Sequence, residues 1–128
     1  MATYLGIDYG SRRMGLATAN SETKMARRHK TVDPSALTSV IEADGPFDVL
    51  VIGLPRSLDG RETAQSLAVR RFADDELSRY GIEIAFQDEA ATSSVAEERL
   101  IEAGKKYKVE DIDAEAAAII LQDYLDNL

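Results

Sequence analysis

The fold is decided at the start of the chain, where residues 3–20 read Thr-Tyr-Leu-Gly-Ile-Asp-Tyr-Gly-Ser-Arg-Arg-Met-Gly-Leu-Ala-Thr-Ala-Asn. Two largely apolar runs, at 3–9 and 14–20, flank a polar turn at 10–13, and this pattern indicates two antiparallel strands. A further strand near residues 25–32 extends the hairpin. The opening of the chain is therefore predicted to form an antiparallel meander.

Helices and strands alternate after this meander. The elements are a helix capped by Asp33 and ended by Gly45, a strand at 48–53, a helix at 61–79, a strand at 82–87, a short helix from a Ser94–Glu97 capping box to Gly104, and a helix at 113–126. This order predicts an α/β protein with a mixed five-stranded sheet and helices on both faces. It is the order of the ribonuclease H-like fold, and residues 1–128 are expected to form one such domain.

The composition excludes several classes of protein. The chain has no cysteine and a single histidine, so disulfides, thiol nucleophiles, thiolate zinc sites and histidine-rich metal sites are ruled out. No apolar run approaches the roughly 18 residues of a membrane helix, and the first residues lack the basic start of a signal peptide. We therefore expect a cytoplasmic protein without a membrane partner.

Charge is unevenly distributed along the chain. The net charge of −8 argues against a nucleic-acid partner, but residues 11–30 carry six basic side chains and one acidic one, whereas residues 109–128 carry six acids and no base. Attraction of phosphate depends on the local field more than on the total charge. A phosphate-bearing partner therefore remains compatible with the sequence, as does an ordinary solvated surface.

Three acids stand at the ends of predicted elements. Asp8 ends the first strand, Glu89 follows the strand at 82–87, and Asp113 begins the last helix. A helical wheel turns Asp113 toward the sheet and both Asp111 and Glu115 toward solvent. An inward carboxylate is costly unless it is paired or bound to a cation, although Asp113 also suits a helix N-cap.

Together these acids suit a hard cation such as Mg²⁺ or Mn²⁺, which prefers oxygen ligands. Two such ions activate water and stabilise the leaving oxygen in phosphodiester hydrolysis, with no need for histidine or cysteine. The adjoining turn, formed by Gly10, Ser11, Arg12 and Arg13, offers backbone N–H groups and guanidinium groups to a phosphate. The alternative interpretation of this turn is a plain surface hairpin.

The chain resembles the YqgF/RuvX family over nearly its whole length. The resemblance rests on five strings in register: Gly6-Ile-Asp-Tyr-Gly-Ser11, Val51-Ile-Gly-Leu-Pro55, Leu58-Asp-Gly60, Asp88-Glu89, and Ile112-Asp-Ala continued by Ile119-Ile-Leu-Gln-Asp-Tyr124. It implies a ribonuclease H-like nuclease that resolves Holliday junctions or matures the 5′ end of pre-16S ribosomal RNA with a divalent metal. It also implies that Asp8, Glu89 and Asp113 are the catalytic, metal-binding acids.

One departure from the family is Ala90, which stands where the family has arginine after Asp-Glu. The missing cation favours an alternative, a catalytically weak nucleic-acid- or ribosome-binding module of the same fold. An ATPase-like phosphate-binding domain is disfavoured, because that class needs two such domains around its nucleotide. Symmetric cutting of a branched DNA requires a homodimer, whereas trimming of precursor rRNA requires one site.

Overall fold

The computed structural model describes residues 1–55, 61–89, 98–104 and 108–128. In these residues five strands form one sheet: β1 (Thr3–Asp8), β2 (Met14–Asn20), β3 (Arg27–Val32), β4 (Val49–Pro55) and β5 (Glu83–Glu89). The strand order is β3-β2-β1-β4-β5. Strand β1 is antiparallel to β2 and parallel to β4, and β4 is parallel to β5. The predicted meander and mixed five-stranded sheet are confirmed.

Helices follow the strands in the predicted order. They are α1 (Leu37–Asp44), α2 (Ala64–Phe72), a helical segment over 98–102, and α3 (Val109–Asp126). A 3₁₀ turn (Pro34–Ala36) precedes α1, and its N-cap Asp33 accepts a hydrogen bond from the Ser35 backbone N–H, as expected. A π turn (Ala73–Leu77) and a 3₁₀ turn (Ser78–Tyr80) continue α2.

The sheet separates two apolar layers. On one face, Leu5, Ile7 and Leu16 pack with residues of α1 and α2, and on the other face Tyr4 and Ala17 pack under α3. Strand β4 contributes alternate side chains to both layers, so it is covered on both faces as its apolar run predicts. None of the helices in the described part of the chain is long and apolar enough to span a bilayer.

Glycines on the sheet allow α3 to approach it closely. A Cβ atom at Gly15 would lie 1.8 Å from the backbone oxygen of Asp113, and one at Gly6 would lie 2.8 Å from the Cβ of Leu121. Neither position can carry a larger residue without moving the helix. The two glycines therefore set the distance between the sheet and the part of α3 that carries Asp113.

Two predicted helix starts are wrong. Helix α3 begins at Val109 rather than 113, because the Lys108 backbone N–H donates to the Asp111 carboxylate at 2.8 Å and starts the helix one turn earlier. Asp113 thus lies within the helix and is not its N-cap. Helix α2 begins at Ala64 rather than 61, because Thr63 caps it. The Ser94–Glu97 capping box and Ala90 lie outside the described residues.

Candidate active site

The end of β1 places Asp8 on the sheet face that α3 covers. Asp8 pairs with Gly15 of β2, and strand alternation puts it on the same face as Tyr4, which packs against α3. Burial, and then the negative charge of Asp113, raise the pKa of Asp8 from 3.8 to about 7. Two acids that lie 105 positions apart in sequence therefore face each other across the contact between β1 and α3.

Asp113 is held by the turn between β1 and β2. Its Oδ2 atom accepts a hydrogen bond from Arg13 Nε at 2.6 Å, and its side chain is 19 % exposed against 46 % for Arg13. The helical wheel's prediction that Asp113 points toward the sheet is confirmed. The same wheel is wrong for Glu115, whose side chain is only 15 % exposed because Arg28 and Arg99 pair with it at 3.2 and 3.4 Å.

These groups line a cleft of about 310 Å³. Its walls are formed by Asp8, Tyr9, Gly10, Ser11, Arg12, Arg13, Gln65 and Asp113. The structure thus places the predicted phosphate-binding turn directly beside two of the three predicted acids. Gln65 was missed because its place in the cleft depends on how α2 packs, which no local pattern reveals.

Glu89 lies apart from this pair. It ends β5, two strands away from β1, and hydrogen-bonds Asp123 of α3. Burial, this hydrogen bond and the charges of Asp123 and Asp88 raise the pKa of Glu89 to about 8, and no hydrogen-bond partner for its buried Oε1 atom is found among the described residues. The structure therefore brings Asp8 and Asp113 together but pairs Glu89 with Asp123.

Asp123 was missed as a member of the acidic face. It stands in the string Ile119–Tyr124 that carries the family resemblance, and its place in that string was the available signal. The spacing of ten residues from Asp113 gives none, because it turns Asp123 about 80° away around the helix. Across the described residues, no group of three or more His, Asp or Glu side chains is arranged to hold a metal ion.

A larger groove of about 800 Å³ lies at the opposite end of β1. Its carboxylates are already engaged: Asp44 by His29 at 2.7 Å and Lys30 at 3.1 Å, and Asp48 by the Thr3 backbone N–H at 2.8 Å. The smaller cleft is the better candidate, because it combines two facing acids with a cationic turn.

The comparison with known proteins identifies the family. A family model, "RuvX: Holliday junction resolvase", matches residues 2–127. The chain belongs to the RuvX family. RuvX is a nuclease family, so the predicted enzyme class is confirmed, and the resemblance inferred from the five strings is confirmed with it.

Several relatives of this RuvX chain carry the name "Putative pre-16S rRNA nuclease". One from Burkholderia ambifaria is 36 % identical and covers 99 % of this chain and 91 % of its own length. One from Paraburkholderia phytofirmans is 38 % identical, covering 99 % and 90 %, and one from an Anaeromyxobacter species is 37 % identical, covering 96 % of each chain.

Two solved structures share the fold of this RuvX chain. "T. thermophilus RuvC in complex with Holliday junction substrate" superposes with a TM-score of 0.57 at 18 % identity, covering 99 % of this chain and 95 % of that one. A second Thermus thermophilus RuvC structure gives 0.54 at 19 % identity, covering 98 % and 95 %. The ribonuclease H-like fold predicted from the order of elements is confirmed.

The donor atoms of the RuvX site fit a hard divalent cation. Asp8 and Asp113 repel each other when both are ionised, and Glu89 keeps a buried oxygen that no donor from residues 1–55, 61–89, 98–104 or 108–128 reaches. A cation with a preference for carboxylate oxygen would relieve both conditions. Oxygen donors of this kind are those that Mg²⁺ and Mn²⁺ take.

Much of the basic stretch at 11–30 is neutralised within the RuvX chain. Three of its six basic side chains form ion pairs with residues that the structure describes. Arg13 pairs with Asp113, Arg28 with Glu115, and Lys30 with Asp44. Arg12 is exposed in the cleft turn and has no hydrogen bond or ion pair to any part of the chain that the structure describes. Arg12 is therefore the cation of this turn that is free to meet an anion.

Proposed function

We propose that this RuvX protein is a divalent-metal-dependent endonuclease that hydrolyses phosphodiester bonds of structured nucleic acid, either branched DNA or precursor 16S rRNA. The observation that carries the proposal is the juxtaposition of Asp8 and Asp113 beside the cationic turn at 10–13. Facing carboxylates beside phosphate-binding groups are what metal-assisted phosphodiester hydrolysis requires. The names of the family and of the relatives point to the same two substrates.

The proposed metal ligands are Asp8, Glu89 and Asp113, and the metal is Mg²⁺ or Mn²⁺. The ion would supply an activated water and neutralise charge on the phosphate oxygens. Asp8 lies at a strand end and Asp113 on a packed helix, so their carboxylates are held in place before substrate arrives. Glu89 lies on the same sheet face, at the end of β5, where it hydrogen-bonds Asp123.

The turn at 10–13 is proposed to seat the substrate phosphate. Arg12 supplies the free guanidinium, and Gly10 and Ser11 supply backbone N–H groups. A Cβ atom at Gly10 would lie 2.4 Å from the Arg13 backbone oxygen, so this tight turn requires glycine. Arg12 thus takes the role of the cation that the family has at position 90, where this chain has alanine.

The test is cleavage of two labelled substrates in Mn²⁺ or Mg²⁺: a synthetic four-way DNA junction and an RNA carrying the 5′ leader of 16S rRNA. Asp8→Asn and Asp113→Asn are compared with Asp75→Asn, which removes an exposed acid on the other side of the sheet. Loss of an outer-shell partner already costs about 10–100-fold, so each ligand variant should lose at least about 100-fold while Asp75→Asn cleaves like wild type.

The products separate the substrates. Paired symmetric nicks in the junction imply two sites related by a two-fold axis, hence a homodimer. Cutting of RNA alone implies that one site is sufficient. Cleavage that persists in Asp8→Asn and Asp113→Asn would refute the assignment of these acids.

The second candidate is a nucleic-acid- or ribosome-binding module without catalysis. The position of Glu89 favours it, since this acid is paired with Asp123 instead of joining Asp8 and Asp113. Such a module predicts that wild type binds the junction or RNA, that Asp8→Asn binds it equally well, and that neither cuts it in any divalent metal.

A further inference from the structure

Among the described residues, Arg13 is the one cation that forms an ion pair with either of the two facing acids, Asp8 and Asp113. Its Nε atom donates to Asp113 Oδ2 at 2.6 Å, and no other hydrogen bond of this guanidinium is recorded there. Arg12, the preceding residue of the same turn, reaches neither acid. The two arginines therefore differ in one respect: only Arg13 occupies a carboxylate that the proposed function assigns to the metal.

This contact has the features of a replaceable one. The Arg13 side chain is 46 % exposed and reaches Asp113 through a single nitrogen, and its other N–H groups make no hydrogen bond to the part of the chain that the structure describes. A partly exposed ion pair with one hydrogen bond contributes only weakly to stability, and it lacks the second parallel hydrogen bond that strengthens a bidentate pair. A divalent cation at Asp113 would displace it by carrying twice the charge, and the released guanidinium would stay in the cleft that Arg12 also lines.

We infer that Arg13 is a placeholder for the divalent cation: it neutralises Asp113 while no metal is bound, competes with the metal for that carboxylate, and turns to the substrate phosphate once displaced. The inference rests on the proposed function, because it takes Asp113 as a metal ligand. It makes Arg13 a positioning residue in the metal-free protein and a phosphate-binding residue in the loaded one.

The test is the affinity for Mn²⁺ alone, measured by isothermal titration calorimetry without nucleic acid. Arg13→Gln removes both the charge and the contact with Asp113, and Arg12→Gln removes the same charge from the same turn without touching that contact. Since exposed ion pairs contribute weakly, Arg13→Gln should bind Mn²⁺ about two- to fivefold more tightly than wild type. Arg12→Gln should gain less than half of that increase.

A second readout concerns substrate. At saturating Mn²⁺, Arg13→Gln should raise the KM for nucleic acid while it lowers the Mn²⁺ concentration needed for half-maximal rate. If Arg13 only stabilised the fold, Arg13→Gln would weaken the binding of nucleic acid and the binding of Mn²⁺ alike. Arg13→Met, which retains most of the aliphatic stem, replaces Arg13→Gln if the latter does not fold.

The Mn²⁺ affinities distinguish failure of the placeholder role from failure of the proposed function. Equal Mn²⁺ affinities for Arg13→Gln and Arg12→Gln, or weaker binding by Arg13→Gln, overturn the placeholder role and leave the proposed nuclease intact. Absence of Mn²⁺ binding by wild type overturns the metal dependence and the placeholder role together. Tighter binding by Arg13→Gln, with less than half of that gain in Arg12→Gln, supports the placeholder role, whichever substrate the enzyme cuts.

Discussion

At the scale of single residues, the acids on the α3 face are held where their negative charge is unfavourable. Burial and the charge of Asp113 raise the pKa of Asp8 to about 7. Burial and the neighbouring Asp123 raise the pKa of Glu89 to about 8. Groups perturbed in this way cluster at functional sites, where burial and neighbouring like charges shift the pKa of an acid toward the value that its task needs. The metal-free protein should therefore show this cost in its stability.

The first prediction concerns the pH dependence of that stability. Between about pH 4 and pH 7 the folded chain retains a proton on Asp8 that the unfolded chain has lost, so the free energy of unfolding falls as pH rises through this window. The full slope is about 1.4 kcal/mol per pH unit. In EDTA, Asp8→Asn should melt at least about 10 °C above wild type at pH 7.5, and the difference at pH 5 should be about half of that or less, because only about one pH unit of the window has been crossed there.

Comparison of the two proteins isolates Asp8, because the raised pKa of Glu89 acts in the same direction in both. Asp75→Asn, at an exposed position, serves as the control and should follow wild type at both pH values. A melting-temperature difference between Asp8→Asn and wild type that is the same at pH 5 and pH 7.5 would contradict the assignment of the pKa of about 7 to Asp8.

At the scale of elements, the hairpin and α3 together build the site, and the sequence reveals these two elements unequally. The strands at 3–9 and 14–20 are predictable because apolar runs and a polar turn are local signals. The start of α3 is not, because Lys108 is an unusual N-cap and the acids that follow it resemble a loop. The inward position of Asp113 was nevertheless predictable, since it depends only on helical spacing from Ala117, Ile120 and Leu121.

The second prediction follows from the close approach of α3 to β2. Gly15→Ala places a Cβ atom against the Asp113 backbone oxygen, 1.8 Å away before any adjustment, so the first turns of α3 must shift. Overpacking of this kind costs about 1–3 kcal/mol, and displacement of Asp113 should reduce cleavage at least about tenfold. Thermal melting and the cleavage assay measure the two effects.

Gly104→Ala provides a comparison, because a Cβ atom there meets none of the described residues within 4 Å, and the positive φ of 68° is what opposes the substitution. It should lower the melting temperature without a matching loss of cleavage per folded molecule. Equal effects of the two substitutions on cleavage would show that the distance between β2 and α3 does not position Asp113.

At the scale of the whole molecule, the chain carries a net charge of −8, and part of the acidic charge of α3 is paired with bases from elements distant in sequence. Glu115 joins Arg28 of β3 to Arg99 of the helical segment at 98–102, and Gln122 accepts a hydrogen bond from the Ala26 backbone N–H at 2.9 Å. The pairing of Glu89 with Asp123 could not be predicted from sequence, because it depends on how far α3 extends across the sheet toward β5. Local patterns thus indicate which residues are candidates, and packing decides which of them meet.

The last prediction uses the whole fold as the reporter of metal binding. A ligand that binds only the folded state raises the free energy of unfolding by about 2.7 kcal/mol at 100 times its Kd, so saturating Mn²⁺ should raise the melting temperature of wild type by roughly 5–10 °C. The effect should be larger at pH 7.5 than at pH 5, because the metal must displace the proton that Asp8 holds below a pKa of about 7. Asp113→Asn should lose most of the shift and Asp75→Asn none of it, with sodium chloride of equal ionic strength as the reference. A shift of the same size in all three proteins would mean that Mn²⁺ acts on the acidic surface as a whole and not at the site formed by Asp8 and Asp113.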